Sequence, residues 1–242
     1  MSDKRLAGGF RMRIDPEIAG VSLVILGHFN PLIFTHSWFG WNELLSKEIV
    51  DNANVQIAHP QITKFSADWL NLQVEPERFM IETTQAPYVR LQDLAVRIFR
   101  NHLPHTPLKA LGINRNVHFC VKRFEDRDRL GRAIAPVEPW GEWGKKLEPD
   151  GEHGGMTTLN MRQLNPEGRP PGGQINVTVE PSIRVGDGRL GVYVRINDHY
   201  AIESTNSKTA TQEIVKLLED NFAKSLKRAD NIIDHLMLLT EK

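Results

Sequence analysis

From residue 110 to residue 202 the chain repeatedly alternates apolar and polar residues with a period of two, the spacing of strands with one buried face. Val117, Phe119 and Val121 make one apolar set. Ile175, Val177 and Val179 make a second, Val192, Val194 and Ile196 a third, and Tyr200 with Ile202 a fourth. The alternate positions carry Asn114, Asn116, His118, Cys120; Asn176, Thr178, Glu180; Tyr193, Arg195, Asn197; and His199 and Glu203. This pattern predicts antiparallel strands with an apolar side against helices and a polar side left free. The run GVSLVILGHF (20–29) is nearly continuous in apolar residues, which predicts a strand covered on both faces.

A second regularity links the halves. RFMIETT (78–84) and HYAIEST (199–205) are similar stretches 121 residues apart in a chain of 242. Each precedes a helical pattern. Leu91, Leu94, Ala95, Ile98 and Leu103 share one face after the first; Ile214, Leu217, Leu218 and Phe222 share one after the second. Each is preceded by a strand and a tight turn, LNLQV-EPER-FMIET and GVYVRI-ND-HYAIES, with Asn197-Asp198 as the second turn. Further back stand QITKF (from Gln61) and QINVTV (from Gln174), then NVQIA (54–58) and MTTLNMRQL (156–164). Each half also begins with a strand and a short helix, WNELLSKEIV in the first and DRDRLGRAI in the second.

The expectation is an α+β fold made by internal duplication of a β-α-β(4)-α unit, with antiparallel sheets packed on helices. The halves are 1–106 and 107–242, the second carrying a loop at 136–156. That order of elements is similar to the TATA-binding-protein-like topology, in which two copies make a saddle, and to the helix-grip class. The similarity is one of element order only and implies no activity. Residues 208–239 contain neither Gly nor Pro and predict one long C-terminal helix, about 45 Å in length. Its surplus apolar stripe, through Leu226, Ala229, Ile232, Ile233 and Leu236, must pack either across the first half or against another molecule.

Thirty basic residues balance thirty acidic ones, which disfavours a general nucleic-acid binder unless Lys and Arg gather in a contiguous stripe across the sheet. The single Cys120 excludes an internal disulfide framework and fits a reducing compartment. The longest apolar run is broken by His28, Asn30 and Pro31, too short for a membrane span. A cytoplasmic protein without membrane contact is the expectation.

Candidate chemistry is sparse. Nine histidines show no HExxH or paired helical spacing, and there is no CxxC, so no metal is expected. No glycine-rich phosphate loop opens a helix, so no cofactor is expected either. His118 and Cys120 share a strand face but stand about 6.5–7 Å apart, too far for easy proton transfer. Glu82 and Glu203 occupy equivalent places before helices, where a carboxylate serves the helix start as readily as catalysis. Trp140 and Trp143 lie in the 136–156 loop and predict an anchor, to the protein's own core or to a partner.

These features point first to a non-enzymatic binding or assembly protein, joined to a protein partner or to copies of itself. Trp140, Trp143, Ile232, Ile233 and Leu236 are the candidate contact residues. The alternative is a hydrolase- or transferase-type enzyme using His118, Glu180, Arg195 and Glu203 on the polar sheet face. The third is a nucleic-acid binder across a saddle-like double sheet, disfavoured by the neutral net charge.

Overall fold

Three two-residue turns fold 54–83 into a meander: β2 (Asn54–His59), β3 (Ile62–Ala67), β4 (Leu70–Glu75) and β5 (Arg78–Thr83). Asp68 takes a left-handed backbone (φ 49°) in the β3–β4 turn, a conformation Asp tolerates better than most residues. β5 pairs with β1 (Ile18–Gly27), which pairs with β6 (Leu108–Cys120). Beyond β6 lie β9 (Gly191–Ala201), β8 (Gln174–Pro181) and β7 (Leu159–Leu164). The result is one nine-stranded antiparallel sheet, ordered β2-β3-β4-β5-β1-β6-β9-β8-β7. This computed structural model describes residues 12–147, 154–186, 189–202 and 206–241.

One face of the sheet is covered by helices. α3 (Val89–Arg97, with a wider π-helical turn to His102) and α6 (Ser207–Met237) pack against it, and α4 (Phe124–Ile134) lies beyond. Asn206 caps α6, its side chain accepting from the backbone N–H groups of Lys208 and Thr209. The buried face of α6 runs Ala210, Ile214, Leu218, Phe222, Ser225, Ala229, Ile233, Met237. Ile214, Leu218 and Phe222 join a core with Phe34, Phe79, Phe99 and Leu23. Ala229, Ile233 and Met237 join a second core with Val117, Phe119, Ile175 and Val194. The long helix thus buries Ala229 and Ile233 of its apolar stripe inside its own chain and leaves Leu226, Ile232 and Leu236 half-buried. Each fully buried Leu, Ile or Phe there contributes about 1.5–3 kcal/mol of transfer free energy.

Three expectations need correction. GVYVRI-ND-HYA is one unbroken strand, β9, so the second half has three strands after its first helix among the described residues. Asn197-Asp198 makes no turn because Asp198 fills an inward slot of that strand. The stretch around WNELLSKEIV is split into α1 (His36–Trp41) and α2 (Lys47–Asp51), separated at Glu43 by a left-handed backbone (φ 54°). β1 is covered on one side only: Val21, Leu23 and Ile25 are buried, while Val24 and Leu26 look out on the free face.

Candidate functional site: a polar trough on the open sheet face

The strand register aligns one side chain from every strand in a single row. It starts at Asn54 on β2, Ser66 on β3, Asn71 on β4 and Glu82 on β5. Ser22 of β1 and Asn114 of β6 follow, then Asn197 of β9, Asn176 of β8 and Arg162 of β7. All nine are polar, and at about 4.8 Å between strands the row is about 38 Å long. These positions share the face opposite the helices, because their neighbours Leu23, Ile113, Ile196 and Ile81 are all in the core.

Half of the row is wired together. Arg162 Nε donates to Asn176 Oδ1 (2.9 Å), Asn176 Nδ2 to Asn197 Oδ1 (3.2 Å), and Asn197 Nδ2 to Asn114 Oδ1 (2.6 Å). Asn114 Nδ2 then donates to the backbone carbonyl of Ser22 (3.3 Å). Each amide points the same way, so the chain polarises in one direction from β7 to β1. Beside it, Tyr193 donates to Asn116 (2.9 Å), and Thr178 donates to Asn160 (2.8 Å).

Small residues at the middle of the sheet leave hollows beside this row. Val24, Ala110 and Gly112 floor a hollow of about 670 Å³. A Cβ at Gly112 would sit 3.0 Å from Asn197 Nδ2, so a larger residue there would press on the amide chain. The hollow's wall carries Arg78, Arg162, Arg195 and His199, with Asn114, Asn160, Asn176, Thr178 and Asn197, and no acidic residue among the described residues. A second hollow of about 470 Å³ adjoins it and shares Val24, Arg78, Asn114 and Arg195. It adds Glu82, Arg184, His118 and Tyr193. Among the described residues, Arg78, Arg184 and Arg195 have no carboxylate within 4.0 Å. Arg78 touches Met80 Sδ, and Arg195 reaches Thr178 Oγ1 at 3.5 Å.

Two histidines on this face are held toward neutrality. Burial pushes the His118 pKa down, and Arg184 adds to it; burial also lowers His199, against the pull of Asp198. His118 Nδ1 lies 2.7 Å from the Ser182 hydroxyl, which accepts from the backbone N–H of Arg184. Its ring stacks on Tyr193 at 4.5 Å, and burial raises the Tyr193 pKa.

The candidate catalytic residues are dispersed rather than convergent. His118 and Glu180 stand in one row but with Tyr193 of β9 between them. Arg195 is in the trough, and Glu203 lies outside the described residues. Cys120 is exposed at the strand's end. Among the described residues no three or more His, Cys, Asp or Glu side chains gather to hold a metal.

Of the candidate contact residues, Ile233 is fully buried, and Ile232 and Leu236 pack half-buried against the second core. Trp140 and Trp143 do not anchor in the core: they remain 62% and 55% exposed and meet edge to face at 5.4 Å. They stand on short elements of the predicted loop, a 3-10 turn (Glu138–Trp140) and α5 (Gly141–Lys145).

Two further polar sites were missed because they lie on the helix-facing side. Asp198, buried, accepts a two-pronged bond from Arg169 (2.7 and 2.8 Å), plus Arg228 (2.7 Å) and Ser225 (2.7 Å). Arg115 is buried against Asp230 of α6 (2.8 Å), with its guanidinium over the Tyr88 ring. Both are interior ion pairs that tie α6 to the sheet.

No known protein family matches this chain, and no curated protein does. No helix among the described residues is long and apolar enough to cross a membrane.

Proposed function

We propose that this is a non-enzymatic binding protein whose ligand lies in the polar trough of the open sheet face. The observation that carries this reading is the hollow of about 670 Å³ on a nine-strand polar row, lined by no acid among the described residues, with Arg78 and Arg195 at its edge lacking a carboxylate partner. Unpaired guanidinium groups around a preformed concavity favour an anionic, hydrogen-bonding ligand. The amide chain holds the floor in place before the ligand arrives, which lowers the ordering cost of binding. Among the described residues the enzyme reading lacks an apposed acid and base: Tyr193 separates His118 from Glu180.

The same reading treats the chain as a duplicated unit, 1–106 and 107–242, one strand shorter in the second copy. Its support is the mirrored strand order outward from the centre, β1-β5-β4-β3 on one side and β6-β9-β8-β7 on the other. The trough then lies across the junction of two units in one sheet, as the TATA-binding-protein-like element order would have it. A protein partner or a second copy, engaging Trp140 and Trp143, remains the competing use of this surface.

Native mass spectrometry of gently purified protein separates the two. Non-covalently bound mass is expected on the wild type and on a Trp140→Ser/Trp143→Ser variant, and is expected to disappear from Arg78→Glu/Arg195→Glu. Loss with the tryptophan pair and retention with the arginine pair would refute the trough reading.

A further inference from the structure

We infer that the ligand of this trough is a single-stranded nucleic acid, laid across the strands with its phosphates at Arg78 and Arg195. The inference rests on the trough being the binding site and specifies its occupant.

The first ground is charge placement. The chain is neutral overall, yet the larger hollow collects three arginines and a histidine and, among the described residues, no carboxylate. Affinity for nucleic acid follows the local supply of unpaired cations, not the sum over the molecule. Most other arginines of the fold are spent: Arg115, Arg169 and Arg228 are paired beneath the sheet. Those on the open face are not.

The second ground is the shape of the opening. The two hollows meet at Arg78 and Arg195, which line both. The site is therefore a run of adjoining small chambers with cations at the junction, suited to a chain of repeating anionic units. Each chamber has the volume of a small-molecule site.

The third ground is what the floor offers. An asparagine side chain has two N–H donors and two acceptor lone pairs. In the amide chain Asn114, Asn176 and Asn197 each spend one donor on a neighbour, leaving the second to meet a base edge. His199, and the face of Tyr193 that His118 does not cover, add ring surface for stacking. A protein partner would need an apolar centre to its interface. The apolar residues of this face, Ile18, Val24, Leu26, Met80 and Met161, are scattered among polar and cationic ones, and nucleic-acid interfaces are polar and cationic.

The test is fluorescence anisotropy with labelled single-stranded DNA and RNA oligomers of about eight nucleotides, titrated at several salt concentrations. With Arg78 and Arg195 on phosphates, log Kobs is expected to fall with log salt at a slope of about −1.4, from about −0.7 per phosphate. Arg78→Gln/Arg195→Gln is expected to flatten that slope by about 1.4 and weaken binding at least tenfold. Neither arginine has a carboxylate partner among the described residues, so the variant should melt at the wild-type temperature, which is checked in parallel. Trp140→Ser/Trp143→Ser is expected to bind as the wild type. Salt-independent binding, or an unaffected arginine variant, overturns the inference. So does competition by a nucleoside monophosphate or a polyglutamate peptide as effective as the unlabelled oligomer. If the oligomers fail while another anion binds in an Arg78- and Arg195-dependent way, the occupant is wrong and the trough reading stands. If no anion depends on these arginines, both fall.

Discussion

Asp198 sits beneath the sheet while its neighbours Asn197 and His199 look out of it, and that reversal is where residue-level reading failed. Asn-Asp is ordinary turn chemistry. Here the dipeptide continues the alternation of β9, with a charge occupying a slot that Val192, Val194 and Ile196 would predict to be apolar. No local signal announces the partners, since Arg169 and Arg228 are 29 and 30 residues away. Removing the carboxylate strands the Arg169 guanidinium, whose side chain is only 3% exposed. Asp198→Ala is therefore expected to destabilise the fold by about 3–5 kcal/mol in urea denaturation. A second prediction concerns pH. His118 and His199 have folded pKa values below their unfolded value of about 6.5. The unfolded chain then binds more protons near that pH, so this stabilisation is full above about 6.5 and is lost as pH falls through the lowered folded values. The urea midpoint should drop between about pH 7 and pH 5. His118→Gln should make that drop shallower; an unchanged slope would show that His118 is not held neutral.

At the scale of elements, α6 was legible because nothing in 207–237 breaks a helix and the apolar spacing is sustained. What covers its far end was not legible, since a stripe carries no address. Its end packs on Val117, Phe119 and Val194, so the surplus length serves the second core. Ile233→Ala should accordingly cost about 2–5 kcal/mol, as a core truncation. Trp140→Ala, at an exposed position, should stay within about 0.5 kcal/mol of wild type. Comparable melting curves for the two variants would contradict this packing. Trimming the chain at 228 would remove core residues Ala229, Ile233 and Met237, so it tests stability before it tests partners. The hairpin β4–β5 lies where LNLQV-EPER-FMIET predicts it, with Glu75 and Arg78 falling in the strands and Pro76-Glu77 as the turn, whereas α1 ends on the first residue of the WNELLSKEIV stretch and the break at Glu43 has no glycine to mark it.

For the whole molecule, summed composition pointed away from the feature that matters most. Thirty charges of each sign cancel in the total, while the fold separates some of them: Arg115 and Arg169 are paired under the sheet, and Arg78 and Arg195 stand over it with no carboxylate partner among the described residues. The polar face of the second half was visible in the alternation at 114–120, 176–180 and 193–199. Its continuation through Ser22, Glu82 and Asn71 was hidden by the apolar run of β1 and depends on register across β1 and β6, which alternation alone does not set. The trough exists only because that register brings Val24, Ala110 and Gly112 together at the middle. The most direct test is an NMR titration with a short single-stranded oligonucleotide, following the side-chain amide signals of Asn114, Asn176 and Asn197. The account predicts saturable shifts of these signals, with the tryptophan indoles of Trp140 and Trp143 unmoved. Shifts confined to those indoles, or to α6, with the three asparagine amides unchanged, would contradict it.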